Sequence, residues 1–250
     1  MNACDLILVV PCYNEAERLR GQEFVAFAHS HPGVGFLFVD DGSADGTAAV
    51  VADLVRAAPG AIDALRLERN QGKAEAVRHG ILHALQAAPR LVGFWDADLA
   101  TPLAAIDDFL KVAEKRREVE LILGSRVLLM GRDIRRKVWR HYLGRVFATA
   151  ASLTLGIPVY DTQCGAKVLR ATAGVAEIFA RPFRSPWVFD VELLGRYLDL
   201  PEDGGLPRRS RIYELALPAW YDVPGSKVRA SDFAKSFFEL LAIGRNRRRP

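Results

Sequence analysis

Five short apolar runs punctuate the first half of the chain: LILVV (6–10), GFLFV (35–39), ALRL (64–67), LVGFW (91–95) and LILG (121–124). None of them alternates polar with apolar residues. A strand with one face in water does alternate, so unbroken runs of this length mark strands buried on both faces. The Ala- and charge-rich segments between them, near 47–58, 73–88 and 102–116, read as helices. Strands and helices in this order predict an α/β fold with a mostly parallel, doubly wound sheet and helices on both faces. With 250 residues, 50% of them hydrophobic, the chain can bury a substantial core in one large domain or two small ones.

After residue 126 the rhythm changes. A basic amphipathic segment, 132–155, places Trp139, Leu143, Val146, Ala150 and Leu153 at three- and four-residue intervals, and the turn-rich GIPVYDTQCG follows. A helix near 189–198, a Pro/Gly/Arg surface excursion at 201–211, a strand-like IYELALPAW and an amphipathic helix at 231–243 complete the pattern. No apolar run is long enough to span a bilayer, and the N-terminus lacks the basic start of a secretory signal. Cys4, Cys12 and Cys164 have neither metal-site spacing nor an even count, and the histidines show no metal-binding spacing. A reducing, cytosolic setting is expected, with Cys164 a small buried residue.

The formal net charge of +4 is unevenly spread. Residues 132–145 hold Arg132, Arg135, Arg136, Lys137, Arg140 and Arg145 against Asp133, and the end of the chain adds Arg245, Arg247, Arg248 and Arg249. A mildly acidic body thus carries two basic appendages. They are either solvated faces or the footprint of a polyanionic partner such as a membrane surface.

In open parallel sheets ligands bind beyond the carboxyl ends of the strands. The polar clusters PCYNE (11–15), DDGSADGT (40–47), ERNQGKAEA (68–76) and DADLAT (96–101) all fall there. Two of them have a bland alternative, with Ser43 or Asp45 capping a helix, or Thr101 and Pro102 serving as N-cap and first residue of the next one. No G-x-G-x-x-G follows the first strand and no phosphate-binding P-loop occurs. A nucleotide bound without a glycine cradle needs another countercharge for its phosphates. A hard divalent cation, Mg2+ or Mn2+, held by Asp96 and Asp98 would supply it.

The ordered set VVPCYNE, VDDGSADGT, NQGKAEAVRHG, DADLAT and GSR (124–126) resembles the inverting GT-A glycosyltransferases of the family 2 type. DTQCGAKVL (161–169), WVFDVELL (187–194) and GSK (225–227) are similar to the polyprenyl-phosphate branch, above all the dolichyl-phosphate β-glucosyltransferase type. The match runs over roughly residues 5–243. It implies a single GT-A domain over 1–250, with a nucleotide-sugar half at 5–126 and an acceptor half at 127–250. Pro11, Tyr13, Glu15, Asp40 and Asp41 would surround the base and ribose, Asp96 and Asp98 would hold the metal, and Lys73, Arg126 and Lys227 would offset the diphosphate. Asp161, Asp190 and Glu192 would lie on the acceptor side, with Asp98, Asp161 and Asp190 as the catalytic set. Glu192 has the alternative of riding a solvated helix face.

Mannosyl relatives often carry Gln two residues after the second Asp and Arg six residues before the GSK-type lysine. Here those places hold Ala100 and Tyr221, which agrees with the glucosyl type. The glucosyl relatives usually bear an N-terminal membrane helix, whereas this chain begins at its first strand. The resemblance implies transfer of a hexose, glucose from UDP-glucose, to a polyprenyl phosphate by a peripheral enzyme at the inner face of an anionic membrane, with no nucleic-acid partner. The alternatives are a soluble saccharide or metabolite acceptor, a sugar-nucleotide pyrophosphorylase, which should show a Gly-rich loop after the first strand, and a docking module without catalysis.

Overall fold

The computed structural model describes residues 4–135, 138–223 and 230–247. In chain order the elements are β1 (Leu6–Cys12), α1 (Gly21–Ser30), β2 (Val34–Asp40), α2 (Thr47–Ala57), β3 (Ile62–Arg66), α3 (Lys73–Leu85) and β4 (Leu91–Trp95). There follow α4 (Ile106–Lys115), β5 (Leu121–Ser125), β6 (Asp133–Arg135), α5 (Val138–Leu155), β7 (Ala166–Arg170) and α6 (Ala173–Ala180). The last four are α7 (Phe189–Leu198), β8 (Ile212–Ala216), β9 (Ala219–Tyr221) and α8 (Ala230–Arg247). The chain divides into two compact units, Met1–Leu99 with Gly165–Pro182, and Ala100–Cys164 with Phe183–Pro250.

In the first unit β1 to β4 are parallel in the order β3-β2-β1-β4, and β7 adds antiparallel to β4. The apolar runs have their explanation in the side-chain alternation of β2. Phe36 and Phe38 meet Phe24 of α1 with ring centroids 5.1 Å apart, while Val39 lies under Gly80 of α3. Successive residues point to opposite faces, so helices cover both sides of the sheet and both sides must be apolar. Each such buried side chain contributes about 1.5–3 kcal/mol. Gly93 is forced by the antiparallel neighbour, since a Cβ there would lie 2.1 Å from the carbonyl oxygen of Lys167.

In the second unit β5 pairs with β8 and β6 with β9, both parallel. The excursion at 201–211 is pinned to the body by Glu120, whose carboxylate accepts from the Tyr197 hydroxyl at 2.9 Å, Arg208 Nη1 at 2.9 Å and Arg211 Nη1 at 2.8 Å. Thr101 and Pro102 do not cap a helix in the expected way: Leu103–Ala105 forms a 3-10 turn leading into α4, with no side-chain cap, and Thr101 is itself buried.

The two amphipathic helices each divide their apolar residues between an inner and an outer face. α5 buries Phe147, Ala148, Ala151 and Leu155, leaving Leu143, Val146 and Leu153 exposed. In α8, Leu240 and Ile243 are buried and Phe237 meets Phe147 at 5.9 Å, whereas Phe238 and Leu241 face outward. The side chains of Trp139 and Phe233 lie outside the described residues. Among the described residues no helix is long and apolar enough to cross a membrane.

Candidate functional site

In the first unit the loops after β1 and β2 are stitched together by short polar side chains. Asn14 has a left-handed φ of 51°, and its N–H donates to Ser43 Oγ at 3.0 Å. The N–H of Glu15 donates to Thr47 Oγ1 at 2.8 Å, that of Ala16 to Asp45 Oδ2 at 3.2 Å, and that of Ala44 to Asn14 Oδ1 at 3.0 Å. The helix-starting tripeptide Asp45-Gly46-Thr47 therefore fixes the Tyr13–Ala16 loop as well as α2. Tyr13 is left exposed beside partly buried Pro11 and Glu15.

Asp40 and Asp41 are both only 3% exposed. Asp40 Oδ1 accepts from the N–H of Ser43 at 2.9 Å, and its Oδ2 lies 3.4 Å from Arg66 Nε. Asp41 accepts from the N–H groups of Gln71 and Gly72, both at 2.8 Å. Burial pushes the Asp41 carboxyl up while those two N–H groups pull it back. Both carboxylates thus brace loops. Gly42, directly after them, is obligatory, with φ +64° and a Cβ that would lie only 2.5 Å from the backbone of Arg69.

Bracing the 71–72 loop delivers Lys73 at the start of α3. Its Nζ lies 2.5 Å from Asp96 Oδ1, so the first of the two carboxylates faces an ammonium group. Asp96 is anchored by its N–H to the carbonyl of Gly165 at 3.0 Å, and its carboxylate rests where a side chain on Gly165 would be: a Cβ there would lie 1.8 Å from Asp96 Oδ2. The turn continues through Asp98 to Leu99, which is buried and holds φ at 53°, a strained value for a branched apolar residue. Arg20 Nη2 donates to the carbonyls of Asp98 and Leu99, at 3.4 and 3.3 Å.

Among the described residues no group of three or more His, Cys, Asp or Glu forms a metal cage. The two carboxylates at the end of β4 nevertheless suit a hard cation. Magnesium is commonly held by one or two carboxylates with substrate phosphates completing the sphere, and the Gly165 gap leaves Asp96 room to serve.

In the second unit Arg126 follows β5 and is chelated by Asp161. Asp161 Oδ2 accepts from the Arg126 N–H at 3.1 Å and Nε at 2.6 Å, and Oδ1 accepts from Nη2 at 2.8 Å. This is the fork-on-carboxylate geometry that orients a guanidinium firmly. The Arg126 guanidinium also lies 5.3 Å from the Trp220 ring centroid. Asp190 is buried in the first turn of α7. Glu192 is buried too, not solvated: its Oε2 accepts from the N–H groups of Arg184 and Ser185, both at 2.9 Å, and Oε1 from Arg196 Nη2 at 2.8 Å. Its oxygens are spent on fixing the loop before α7. Cys164 is fully buried, as expected. Lys227 lies outside the described residues.

The supporting roles of Arg20 and Gly165 escaped the sequence reading. Their roles depend on partners distant in sequence, and only the placement of Gly165 inside the DTQCG motif hinted at one of them.

Residues 7–173 match the model of glycosyl transferase family 2. Dolichyl-phosphate beta-glucosyltransferase of Dictyostelium discoideum is 31% identical over 240 residues, covering 89% of this chain and 68% of that protein. Polyprenol monophosphomannose synthase of Mycolicibacterium smegmatis is 27% identical over 168 residues, covering 66% of this chain and 61% of that protein. Among solved structures, glucosyl-3-phosphoglycerate synthase of Mycobacterium tuberculosis, in complex with Mn2+, UDP and glucosyl-3-phosphoglycerate, aligns with a TM-score of 0.66 at 16% identity, covering 98% of this chain and 80% of that one. The fold is GT-A. On the match over residues 7–173, and on the 31% identity carried across most of its length, the chain belongs to glycosyl transferase family 2.

Proposed function

We propose that this chain is a metal-dependent, inverting hexosyltransferase that moves glucose from UDP-glucose onto a polyprenyl phosphate, as a peripheral enzyme at the anionic cytoplasmic face of a membrane. The observation that carries this reading is Asp96-x-Asp98 at the carboxyl end of β4, with Lys73 Nζ 2.5 Å from Asp96 and a glycine leaving space for the carboxylate. Asp96 and Asp98 would hold Mg2+ or Mn2+, which when bound supplies countercharge for the departing diphosphate. Lys73, displaced from Asp96, turns its charge to the same phosphates. Pro11, Tyr13 and Glu15 line the nucleoside side with Asp40 and Asp41 beside them, the Tyr13 ring offering a stacking face; Asp40 also braces the turn at Ser43, and Asp41 the 71–72 loop that carries Lys73.

Arg126, oriented by Asp161, offsets negative charge, and Lys227 keeps the same assignment. Asp161 and Asp190 orient the acceptor. A phosphate monoester with a second pKa of about 6 is mostly dianionic at neutral pH and needs little help from a general base. Attack from the face opposite the leaving UDP inverts the anomeric centre.

Support for glucose comes from the relative named dolichyl-phosphate beta-glucosyltransferase and from the two departures from mannosyl relatives. Those two positions adjoin here, the Tyr221 N–H donating to the carbonyl of Ala100 at 2.9 Å. Support for a membrane surface comes from the outward-facing Val146 and Leu153 of α5 and Phe238 and Leu241 of α8, together with the arginine-rich chain end. A second reading, transfer to a small phosphorylated metabolite, is favoured by the structural likeness to glucosyl-3-phosphoglycerate synthase.

A side-by-side assay of UDP-glucose, other UDP-hexoses and GDP-mannose, with polyprenyl phosphate in anionic vesicles or 3-phosphoglycerate in solution, tests both readings. UDP-glucose with the vesicle-borne acceptor is expected to be fastest, and the rate should fall as salt rises, since the Debye length shrinks from about 10 Å at 0.1 M to about 3 Å at 1 M. Faster turnover of GDP-mannose would overturn the donor assignment; preference for the soluble acceptor would overturn the acceptor.

Arg20→Ala is expected to weaken metal-dependent UDP binding by about threefold to tenfold in calorimetric titration. Hydrogen bonds from a charged donor contribute about 1.5–3 kcal/mol when well buried, and Arg20 is half-exposed, which places its effect below that range. Unchanged affinity would show that the strained Asp98–Leu99 turn holds itself.

A further inference from the structure

Glu214 sits in β8 between Tyr213 and Leu215, a single acid in an otherwise apolar stretch of strand. Its Oε2 accepts from the N–H of Tyr160 at 2.8 Å and its Oε1 from the N–H of Asp161 at 2.9 Å. Two consecutive amides turned toward one carboxylate form a small anion-holding concavity, here filled by the protein itself. The partners are 53 and 54 residues away in sequence, so the contact is a tertiary staple.

The same turn is gripped from α5. Arg145 Nη1 donates to the Tyr160 carbonyl at 2.9 Å and its guanidinium stacks 3.6 Å from the Tyr160 ring centroid, while Ser152 Oγ donates to the carbonyl of Val159 at 2.9 Å. What the turn presents is Asp161, and Asp161 in turn fixes both the backbone and the guanidinium of Arg126. β8 pairs alongside β5 with Glu214 opposite Leu123 and Ala216 opposite Ser125, the residue before Arg126. The carboxylate therefore ties the 160–161 turn to the strand next to the one that delivers Arg126.

We propose that Glu214 is a positioning residue for glycosyl transfer: it sets the angle of the Asp161–Arg126 pair, and so governs turnover without touching either substrate. This rests on the proposed transferase function. Glu214→Gln keeps size and one acceptor oxygen but turns an NH2 toward one of the two amides, so the turn loses half its hold and the guanidinium fork shifts. A misplacement of about 1 Å in a reacting constellation can cost about 100-fold in rate.

The test compares wild type, Glu214→Gln and Glu214→Asp in steady-state transfer, in titration with UDP and Mn2+, and in thermal melting, with Arg126→Lys alone and combined with Glu214→Gln. The expected result is a fall in kcat of about 10- to 100-fold for Glu214→Gln, a smaller fall for Glu214→Asp, and a loss of UDP affinity smaller than the loss of kcat, because the shifted Arg126 offsets less of the diphosphate charge while the carboxylates and lysine of the first unit are untouched. The double variant should be no slower than the worse single one, since both changes disable one unit. A merely structural role would lower the melting temperature and leave kcat per folded molecule unchanged; that result, or additive losses in the double variant, overturns the proposal. If Glu214→Gln does not fold, the kcat of Glu214→Asp decides, and wild-type turnover there also overturns it. A wild type inactive with every donor and acceptor would instead overturn the transferase reading itself.

Discussion

Gly165→Ala is expected to lower turnover by about 100-fold or more while shifting the melting temperature by no more than about 3 °C. A Cβ at residue 165 would lie 1.8 Å from Asp96 Oδ2, 2.1 Å from its Cγ and 2.5 Å from its Oδ1. All three atoms belong to the mobile end of one side chain, so the clash is relieved when Asp96 rotates away. That rotation gives up the contact with Lys73, a pair about one-third to two-fifths exposed at 33% and 41% and so contributing at most about 1 kcal/mol. Gly165 is not among the glycines with positive φ, so alanine brings no backbone strain. The fold is spared and the carboxylate leaves the place where it can meet a cation.

Gly93→Ala provides the contrast. Its Cβ would press on the Lys167 carbonyl oxygen at 2.1 Å, and a backbone atom in β7 cannot swing aside. Here the sheet pairing must yield, and thermal stability should fall along with activity. If Gly165→Ala keeps wild-type turnover and metal response, Asp96 does not need its observed orientation and the reading of this edge as a metal site fails.

These glycines show where the sequence was readable and where it was not. β1, β2, β4 and β5 announce themselves because a strand covered on both faces must be apolar throughout, and that demand is local; β3 is only half-buried, with Ala64 and Arg66 exposed, so the expectation that ALRL is buried on both faces does not hold. β7 does not: AKVLR contains a fully buried lysine and ends in arginine, and it follows a turn-like motif. Its place beside β4 is set by residues some 70 positions earlier. α1 begins at a glycine without a side-chain cap, and α6 is only eight residues long, so neither carried a start signal. Apolar spacing identified α5 as a helix but not its inner face, because Phe147, Ala151 and Leu155 compete with the equally apolar Leu143, Val146 and Leu153. The packing of α8 decided between them.

The same division runs through the site. Asp96 and Asp98 stood out by residue type and by their place at a strand end, whereas Lys73, Arg126 and Asp161 were singled out by the family resemblance. Their pairings were not legible, since Lys73 with Asp96 and Asp161 with Arg126 and Glu214 are tertiary contacts. Asp40, Asp41 and Glu192 were legible as acids but not as loop braces, because that role is visible only in the backbone N–H groups they accept.

Asp98→Asn is expected to reduce turnover by at least about 1000-fold and to remove the metal-dependent part of UDP binding, with the melting temperature of the ligand-free protein almost unchanged. An amide is a poor ligand for a hard cation, and with only two protein carboxylates in the set, the loss of one cannot be covered by a neighbour. The turn around residue 98 is held through main-chain groups, by Arg20 on the carbonyls of Asp98 and Leu99 and by the Leu99 N–H on the Asp96 carbonyl at 3.3 Å, and an asparagine side chain leaves all of these in place. Two separate measurements follow from this. Calorimetric titration with UDP should show a Mn2+-dependent gain in affinity for wild type and none for the variant, while binding without metal stays the same in both. Adding Mn2+ to UDP should raise the melting temperature further only in wild type, because a ligand that binds the folded state alone stabilises it by RT ln(1 + [L]/Kd). A variant that keeps the Mn2+-dependent gain, or turns over at a rate near that of wild type, would remove Asp98 from the metal set and leave Asp96 paired with Lys73 as a structural contact.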